Sequence, residues 1–277
     1  MARSKETGPD AGMPALTEPA DAGVAPGPDA GYSLAFQMEL AYGYCVGVRM
    51  PDLRQAQLLT QGADAEPTRN PLAVDWPIPT RGLTAEERAC AENLRGYRRP
   101  DYIAGRLALR AALGHHGTGA ATIGATERGA PIVPDGAVGS ISHKRPFAIA
   151  LAARADGWTL GVDLEDQAPT STDITRRVLT ESERATLARL YGDMTGLSYR
   201  LAVVRRFSIK EAIYKAIDPF VQRYVGFLEV SLEGAEQDGD VVVHTHLDPP
   251  PRRSLAIRAR IVKYGDYFIS SARARLA

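Results

Sequence analysis

From Phe147 to Glu165 the chain reads FAIALAARADGWTLGVDLE, two apolar runs on either side of Asp156-Gly157. Apolar residues spaced by two mark strands with one buried face, and Asp-Gly between such runs signals a tight hairpin. The pattern predicts a hairpin of strands over Phe147–Arg154 and Trp158–Leu164. The later segments DVVVHTHL, SLAIRARIVKY and DYFISSARA read as strands on the same grounds.

Helical spacing flanks this block. LTAEERACAENL begins at Leu83 and LTESERATLARL at Leu179; each places a Glu three residues after a Thr. That is a capping-box start, with Thr84 and Glu87 in the first and Thr180 and Glu183 in the second. Each is followed by another helical stretch. The first is PDYIAGRLALRAAL, with Pro100 suited to the opening turn and Gly114 to the stop. The second is RRFSIKEAIYKAI, whose Ile209, Ala212, Ile213, Ala216 and Ile217 share one face. The matched starts are either coincidence, since the capping box is common, or the mark of a duplication. Duplication predicts an α+β fold of two similar lobes with a cleft between them. The lobes are expected over 32–155 and 156–277. Residues 1–31 are mostly Ala, Gly and Pro with scattered acids, too little apolar surface to offset ordering, and are expected to form a disordered tail.

Composition narrows the class. The chain has 277 residues, 44% hydrophobic and 24% charged, which suits a soluble protein with a sizeable core. Lysine and arginine total 33, as do aspartate and glutamate, so no global field favours nucleic acid or a membrane surface. Cys45 and Cys90 lack metal or redox spacing, which predicts a reducing compartment and no disulfide framework. With no apolar run of membrane-spanning length and no leader pattern at the N-terminus, a cytoplasmic protein is expected.

Candidate chemistry sits on a few of these elements. On a strand, Trp158, Leu160, Val162 and Leu164 share one face, and Gly161, Asp163 and Glu165 the other. The two carboxylates then either sit on an exposed face as ordinary charges or hold a hard divalent cation such as Mg²⁺ that removes their repulsion. Gly161 would leave room above them for a ligand. In SIKEAIYK, Glu211 and Lys215 lie four apart opposite the apolar face, with Lys210 on the flank; they form a surface salt bridge or supply a carboxylate and cations to a phosphate site. Ser142, His143 and Lys144 in GSISHKRPF are adjacent and point apart, which excludes a Ser–His nucleophile pair; a polar turn or an anion-binding loop fits. Arg99, Arg106 and Arg110 form a helical stripe beside Arg98, read as a solvated basic face or a phosphate grip.

Taken together, RRPDYIAGRLALR, GAPIVPDGAVGSISH, GVDLED and FSIKEAIYK, in this order, resemble the 4′-phosphopantetheinyl transferases, most closely the two-lobed surfactin- and enterobactin-type monomers. The resemblance covers roughly residues 80 to 220. It implies coenzyme A bound in the cleft and transfer of its phosphopantetheine arm to a serine of an apo acyl or peptidyl carrier protein, with 3′,5′-ADP as the other product. It implies Asp163, Glu165 and Glu211 as Mg²⁺ ligands, Ser142 and His143 at the 3′-phosphate with Lys144 as an extra cation there, and Lys210 and Lys215 on the pyrophosphate. Arg98 and Arg106 would bind the nucleotide end, assisted by Arg99 or Arg110. Glu211 is the candidate base. Phe207 stands where relatives often carry Trp. The stretch Thr175–Arg206, with Arg176, Arg177, Leu179 and Leu190, is an expected docking surface for an acidic carrier. A monomer is expected, because duplication supplies both lobes. The competing readings are a non-catalytic binding module for coenzyme A or carrier protein, and a Mg²⁺-dependent phosphohydrolase using the same acids.

Overall fold

A computed structural model of the chain describes residues 29–118, 121–168 and 173–277. The expected tail falls almost wholly on residues 1–28, outside the described residues. Asp29 already belongs to the folded part: its carboxylate accepts from the Thr80 amide and hydroxyl at 2.8 Å and from the Arg81 amide at 3.1 Å.

The chain opens with β1 (Ser33–Leu40) and β2 (Gly43–Arg49), then α1 (Leu53–Gln61), α2 (Ala85–Asn93) and α3 (Arg98–His115). A short ladder of β3 (Gly124–Ala125) and β4 (Pro131–Ile132) leads to β5 (Ala137–Lys144) and β6 (Phe147–Arg154). Next come β7 (Thr159–Asp166), α4 (Thr175–Val178), α5 (Glu181–Tyr191) and the long α6 (Leu197–Val221). It ends with β8 (Val230–Glu233), β9 (Gly239–Thr245), β10 (Leu255–Tyr264) and β11 (Tyr267–Leu276).

These elements make two antiparallel sheets, each backed by a helix. The first has the order β1-β2-β6-β5 and buries Val46, Val48, Ala148 and Ala150 against Ile103, Ala104, Leu107 and Ala108 of α3. The second has the order β7-β11-β10-β9-β8 and buries Ile261, Phe268 and Ala272 against α6, whose Ile209, Ala212, Ile213, Ala216 and Ile217 all face inward as their spacing predicts. A third apolar cluster joins the sheets: Phe36, Cys45, Ile149 and Leu151 of the first meet Leu160, Val162, Leu164 and Ile269 of the second. Both cysteines are free, as expected, and burial pushes the Cys45 thiol up to about 12. Among the described residues no helix is long and apolar enough to cross a membrane.

The structure corrects three local expectations. Gly157 does turn the chain, at φ 85°, but the strands on either side do not pair: β6 lies between β2 and β5, and β7 pairs with β11. Both edges of β6 are already taken, so the Asp-Gly turn hands the chain from one sheet to the other. GSISHK is no loop; it is most of β5, and the hairpin it forms is with β6. Gly114 lies within α3, and the left-handed residue beyond that helix is Gly117, at φ 80°.

Gly161 has a different task from the one its sequence position suggests. A Cβ there would lie 1.8 Å from the Ala212 carbonyl oxygen and 2.8 Å from the Ala216 amide nitrogen, so α6 fills the space expected for a ligand. The missing side chain lets the helix backbone lie directly on β7. Gly161→Ala is therefore expected to lower the unfolding free energy by about 3 kcal/mol or more, measured by urea denaturation. A loss below about 1 kcal/mol would show that the contact is soft.

Candidate active site

β5 and β7 are the edge strands of their sheets and lie against each other. An edge leaves backbone groups to be satisfied. Here side chains do it. Ser140 Oγ accepts the Val162 amide at 3.1 Å, and Lys215 Nζ donates to the Val162 carbonyl at 2.9 Å. Alternation along β5 turns Ser140, Ser142 and Lys144 toward β7 and Ile141 and His143 toward the α3 side, where Ile141 meets Gly105.

The face toward β7 gathers six of the expected residues. Ser142 Oγ donates to Asp163 Oδ1 at 2.8 Å. Lys215 Nζ, from α6, donates to Ser142 Oγ at 3.0 Å and to Asp163 Oδ1 at 2.9 Å. Lys144 Nζ donates to Glu165 Oε2 at 2.6 Å and lies 3.8 Å from Asp166 Oδ1. Glu211, one turn before Lys215, is half-buried and stands outside this hydrogen-bond network, but its charge is felt there. Burial pushes the Glu211 carboxyl above the ordinary carboxylate range; Lys215 opposes the shift and Asp163 adds to it. Burial pushes the Glu165 carboxyl up as well, with the Lys144 hydrogen bond pulling it back and the Asp163 charge adding to the rise.

Hard oxygen donors that repel one another suit a divalent cation. One atom supports that fit directly: Asp163 Oδ2 is buried without a hydrogen-bond partner among the described residues, an arrangement costly for a carboxylate unless something positive completes it. As they stand, no three carboxylate, imidazole or thiolate groups among the described residues are close enough together to hold an ion. Lys144 and Lys215 stand on Glu165 and Asp163 instead. The donor chemistry fits a cation, and two ammonium groups occupy its place.

Other expected residues lie elsewhere. Lys210 is buried with its ammonium on Glu183 Oε2 at 2.6 Å, Val178 O at 2.7 Å and Phe227 O at 3.1 Å, so it is not free to meet a pyrophosphate. Its flank position turns inward because α4, α5 and the segment at Phe227 all pack there. Arg106 is buried too, donating to Ile123 O at 3.1 Å and Gly124 O at 3.0 Å, with its guanidinium over the Tyr102 ring. Arg110 grips both Glu87 oxygens at 2.6 Å, and Arg99 pairs with Asp75 and the carbonyls of Leu94, Trp76 and Glu92. The arginine stripe is thus not a solvated face, because its members satisfy nearby carbonyls and carboxylates. Arg98 and His143 are exposed on the α3 side. In the expected docking stretch, Arg176, Arg177 and Leu190 are exposed, whereas Leu179 is buried in a core with Leu187 and Tyr199.

Three participants gave no signal of their own. Ser140 satisfies the β7 edge, which only the sheet order reveals. Asp166 adds a second acid beside Lys144; the run LEDQ held it, one residue past the strand pattern. Arg128 ties the turn after β3 to α6 through Asp218, Nε to Oδ1 at 2.9 Å, a contact between residues 90 apart.

The two capping boxes form as expected, and each goes further. Glu87 accepts from Arg110 on α3 and from the Ile123 amide at 2.9 Å. Glu183 accepts from Lys210 on α6 and from the Leu232 amide at 3.1 Å. In both places a buried capping glutamate joins a base on the next long helix to a backbone amide of the segment that follows.

Residues 86–153 match the family model described as 4′-phosphopantetheinyl transferase N-terminal domain, and residues 159–261 match that of the 4′-phosphopantetheinyl transferase superfamily. The chain is 32% identical over 183 residues to 4′-phosphopantetheinyl transferase Npt of Nocardia iowensis, covering 64% of this chain and 79% of that one. It is 34% identical over 155 residues to 4′-phosphopantetheinyl transferase Svp of Streptomyces mobaraensis, 56% of this chain and 62% of the relative. Over 177 residues it is 31% identical to 4′-phosphopantetheinyl transferase PptT of Mycobacterium tuberculosis, 64% of this chain and 69% of the relative.

Two outcomes follow from the geometry. Lys210→Met leaves Glu183 charged and buried, and should cost about 3 kcal/mol of stability in urea. Adding Glu183→Gln, which keeps the cap but not the charge, should recover part of that loss; a double variant weaker than Lys210→Met alone would refute the pairing. The second concerns pH. With their carboxyls raised, Glu165 and Glu211 bind protons more tightly in the folded state than in the unfolded chain. Their contribution to the stability of the cation-free protein is then fully present below the unfolded glutamate pKa of about 4.3 and is lost as pH rises through the folded values. Glu211→Gln removes its share of that fall, so the variant should gain on wild type in urea midpoint over this interval. A gap that does not change with pH would contradict the assignment.

Proposed function

The chain belongs to the 4′-phosphopantetheinyl transferase superfamily, and we propose that it moves the phosphopantetheine arm of coenzyme A onto a serine of an apo acyl or peptidyl carrier protein, leaving 3′,5′-ADP. The observation that carries this reading is the junction of β5, β7 and α6, where Ser142, Asp163 and Lys215 interlock and Asp163 Oδ2 is left buried without a partner. In the finer reading the fold is a pseudo-dimer with lobes over 32–155 and 156–277 and the site in the cleft between them. Its support is the repeated link of capping glutamate, helix base and strand amide, and the passage from one sheet to the other after β6.

Asp163, Glu165 and Glu211 would hold Mg²⁺. The ion would neutralise charge on the pyrophosphate oxygens as the transfer proceeds. Lys215 adds a fixed positive charge beside Asp163 and orients its carboxylate through Oδ1. Ser142 shares that hold; His143 and Arg98, exposed on the α3 side, would meet the phosphate-bearing nucleotide end, and Lys144, turned toward β7, would add a cation to it. The carrier serine must lose its proton as its oxygen bonds to the pantetheine-bearing phosphorus and the bond from that phosphorus to the 3′,5′-ADP oxygen breaks. Glu211 is the candidate to take that proton. Arg176, Arg177, Leu190, Met194 and Leu197 are exposed near the start of α6 and offer basic and apolar contacts to an acidic helical carrier.

The test is to mix the protein with coenzyme A, Mg²⁺ and an apo carrier protein and weigh the intact carrier. Wild type should add one phosphopantetheine arm. Glu211→Gln should slow the addition by about 10²-fold or more. Coenzyme A binding with no transfer to several carriers would replace the enzyme with a binding module.

A further inference from the structure

Lys144 ends β5 on the face turned toward β7, and among the described residues its ammonium meets two carboxylates, Glu165 at 2.6 Å and Asp166 at 3.8 Å. Lys215 is held otherwise, by Ser142 Oγ, the Val162 carbonyl and Asp163 Oδ1, so losing one acceptor leaves it two. Lys144 would lose its main acceptor if Glu165 turned to a metal ion. A carboxylate that is already neutralised at 2.6 Å also offers a weaker charge to any second cation, and the two cations repel each other. The Lys144 side chain keeps 29% of its surface exposed, against 15% for Glu165. The lysine therefore has solvent to swing into, while the carboxylate stays with the site. Lys144 is thus a counter-ion tethered by its own chain within reach of Glu165.

We infer that Lys144 is a displaceable internal cation: it competes with the divalent ion for Glu165 and, once displaced, is delivered to the phosphates of the nucleotide, so that ion and nucleotide each favour the other's binding. This rests on the transferase reading and gives its site an added property, a thermodynamic coupling that is reciprocal by necessity. The nucleotide gives the released ammonium a new partner, and the ion takes the old one.

The probe is Mn²⁺, whose free and bound forms are separated by electron paramagnetic resonance, titrated into the whole protein freed of metal. Without nucleotide, Lys144→Met should bind Mn²⁺ about tenfold more tightly than wild type, the effect of removing a part-buried competing charge. Lys144→Arg, which keeps the charge, should stay close to wild type. Saturating 3′,5′-ADP should tighten Mn²⁺ binding in wild type and do so several-fold less in Lys144→Met. On a Glu165→Gln background, Lys144→Met should change nothing, because the contested carboxylate is gone; a gain that persists there would reduce the effect to general loss of positive charge and overturn the proposal. Equal Mn²⁺ affinity in wild type and Lys144→Met would overturn it while leaving the cation site intact. No Mn²⁺ binding by either protein would instead remove the cation from the proposed function, and this inference with it.

Discussion

The site depends on how closely α6 lies on β7. At Gly161 the helix backbone replaces a side chain, with the Ala212 carbonyl 1.8 Å from where a Cβ would stand. Ala212 and Ala216 complete the approach by having little to put in the way. That contact sets the height of the helix above the strand. Lys215 can then reach the Val162 carbonyl and Asp163 in one span. Any larger residue at 161 would lift Glu211 and Lys215 away from β7 together. The apolar cluster between the sheets holds β7 from its other face, through Leu160, Val162 and Leu164. The strand is clamped on both faces, and its two carboxylates inherit a fixed position.

The same helix shows how a polar residue can look functional and be structural. Lys210 and Glu211 are neighbours in sequence and part company in the fold. Lys210 goes under the helix to a buried glutamate and two carbonyls. Glu211 stays at the junction. A buried ion pair is a poor source of net stability, but removing one member strands the other in a low-dielectric place. Lys210 is therefore constrained as firmly as a catalytic group would be, for a reason unrelated to phosphate. Arg110 does the equivalent in the first half with Glu87.

Much of this was legible beforehand. The helix starts at Thr84 and Thr180, the inward face of α6, the strand β6 and the division of β7 into Leu160, Val162 and Leu164 against Asp163 and Glu165 all follow from local pattern. Periodicity speaks of which face is buried, and the structure honours it. It says nothing of partners. The Asp-Gly turn at 156–157 announced a reversal but could not reveal that β6 already had neighbours on both edges. Gly161 announced space but not what fills it. β1 and β2 escaped notice because SLAFQMEL and GYCVGVR mix polar and small residues, and they read as strands only once β6 is there to pair. Arginines on α3 look like a basic face on a helical wheel. In three dimensions the carbonyls at Ile123, Gly124 and Trp76 draw Arg106 and Arg99 inward.

What remains is the balance of charge at the junction, and it explains the tension in the site. Asp163, Glu165 and Glu211 share a part-buried surface, where burial raises the proton affinity of the Glu165 and Glu211 carboxyls and the Asp163 charge adds to the rise. Such a cluster lowers stability unless it is neutralised, and a protein selected only for stability would not keep it. Two lysines supply part of the neutralisation, yet they leave Asp163 Oδ2 without a partner. The two lysines differ in what would release them. Lys215 is bound into the edge of β7 and serves as scaffold and charge together. Lys144 has Glu165, a carboxylate of the proposed cation site, as its main acceptor. The proposed ion site therefore combines two kinds of lysine, one fixed by the strand edge and one replaceable.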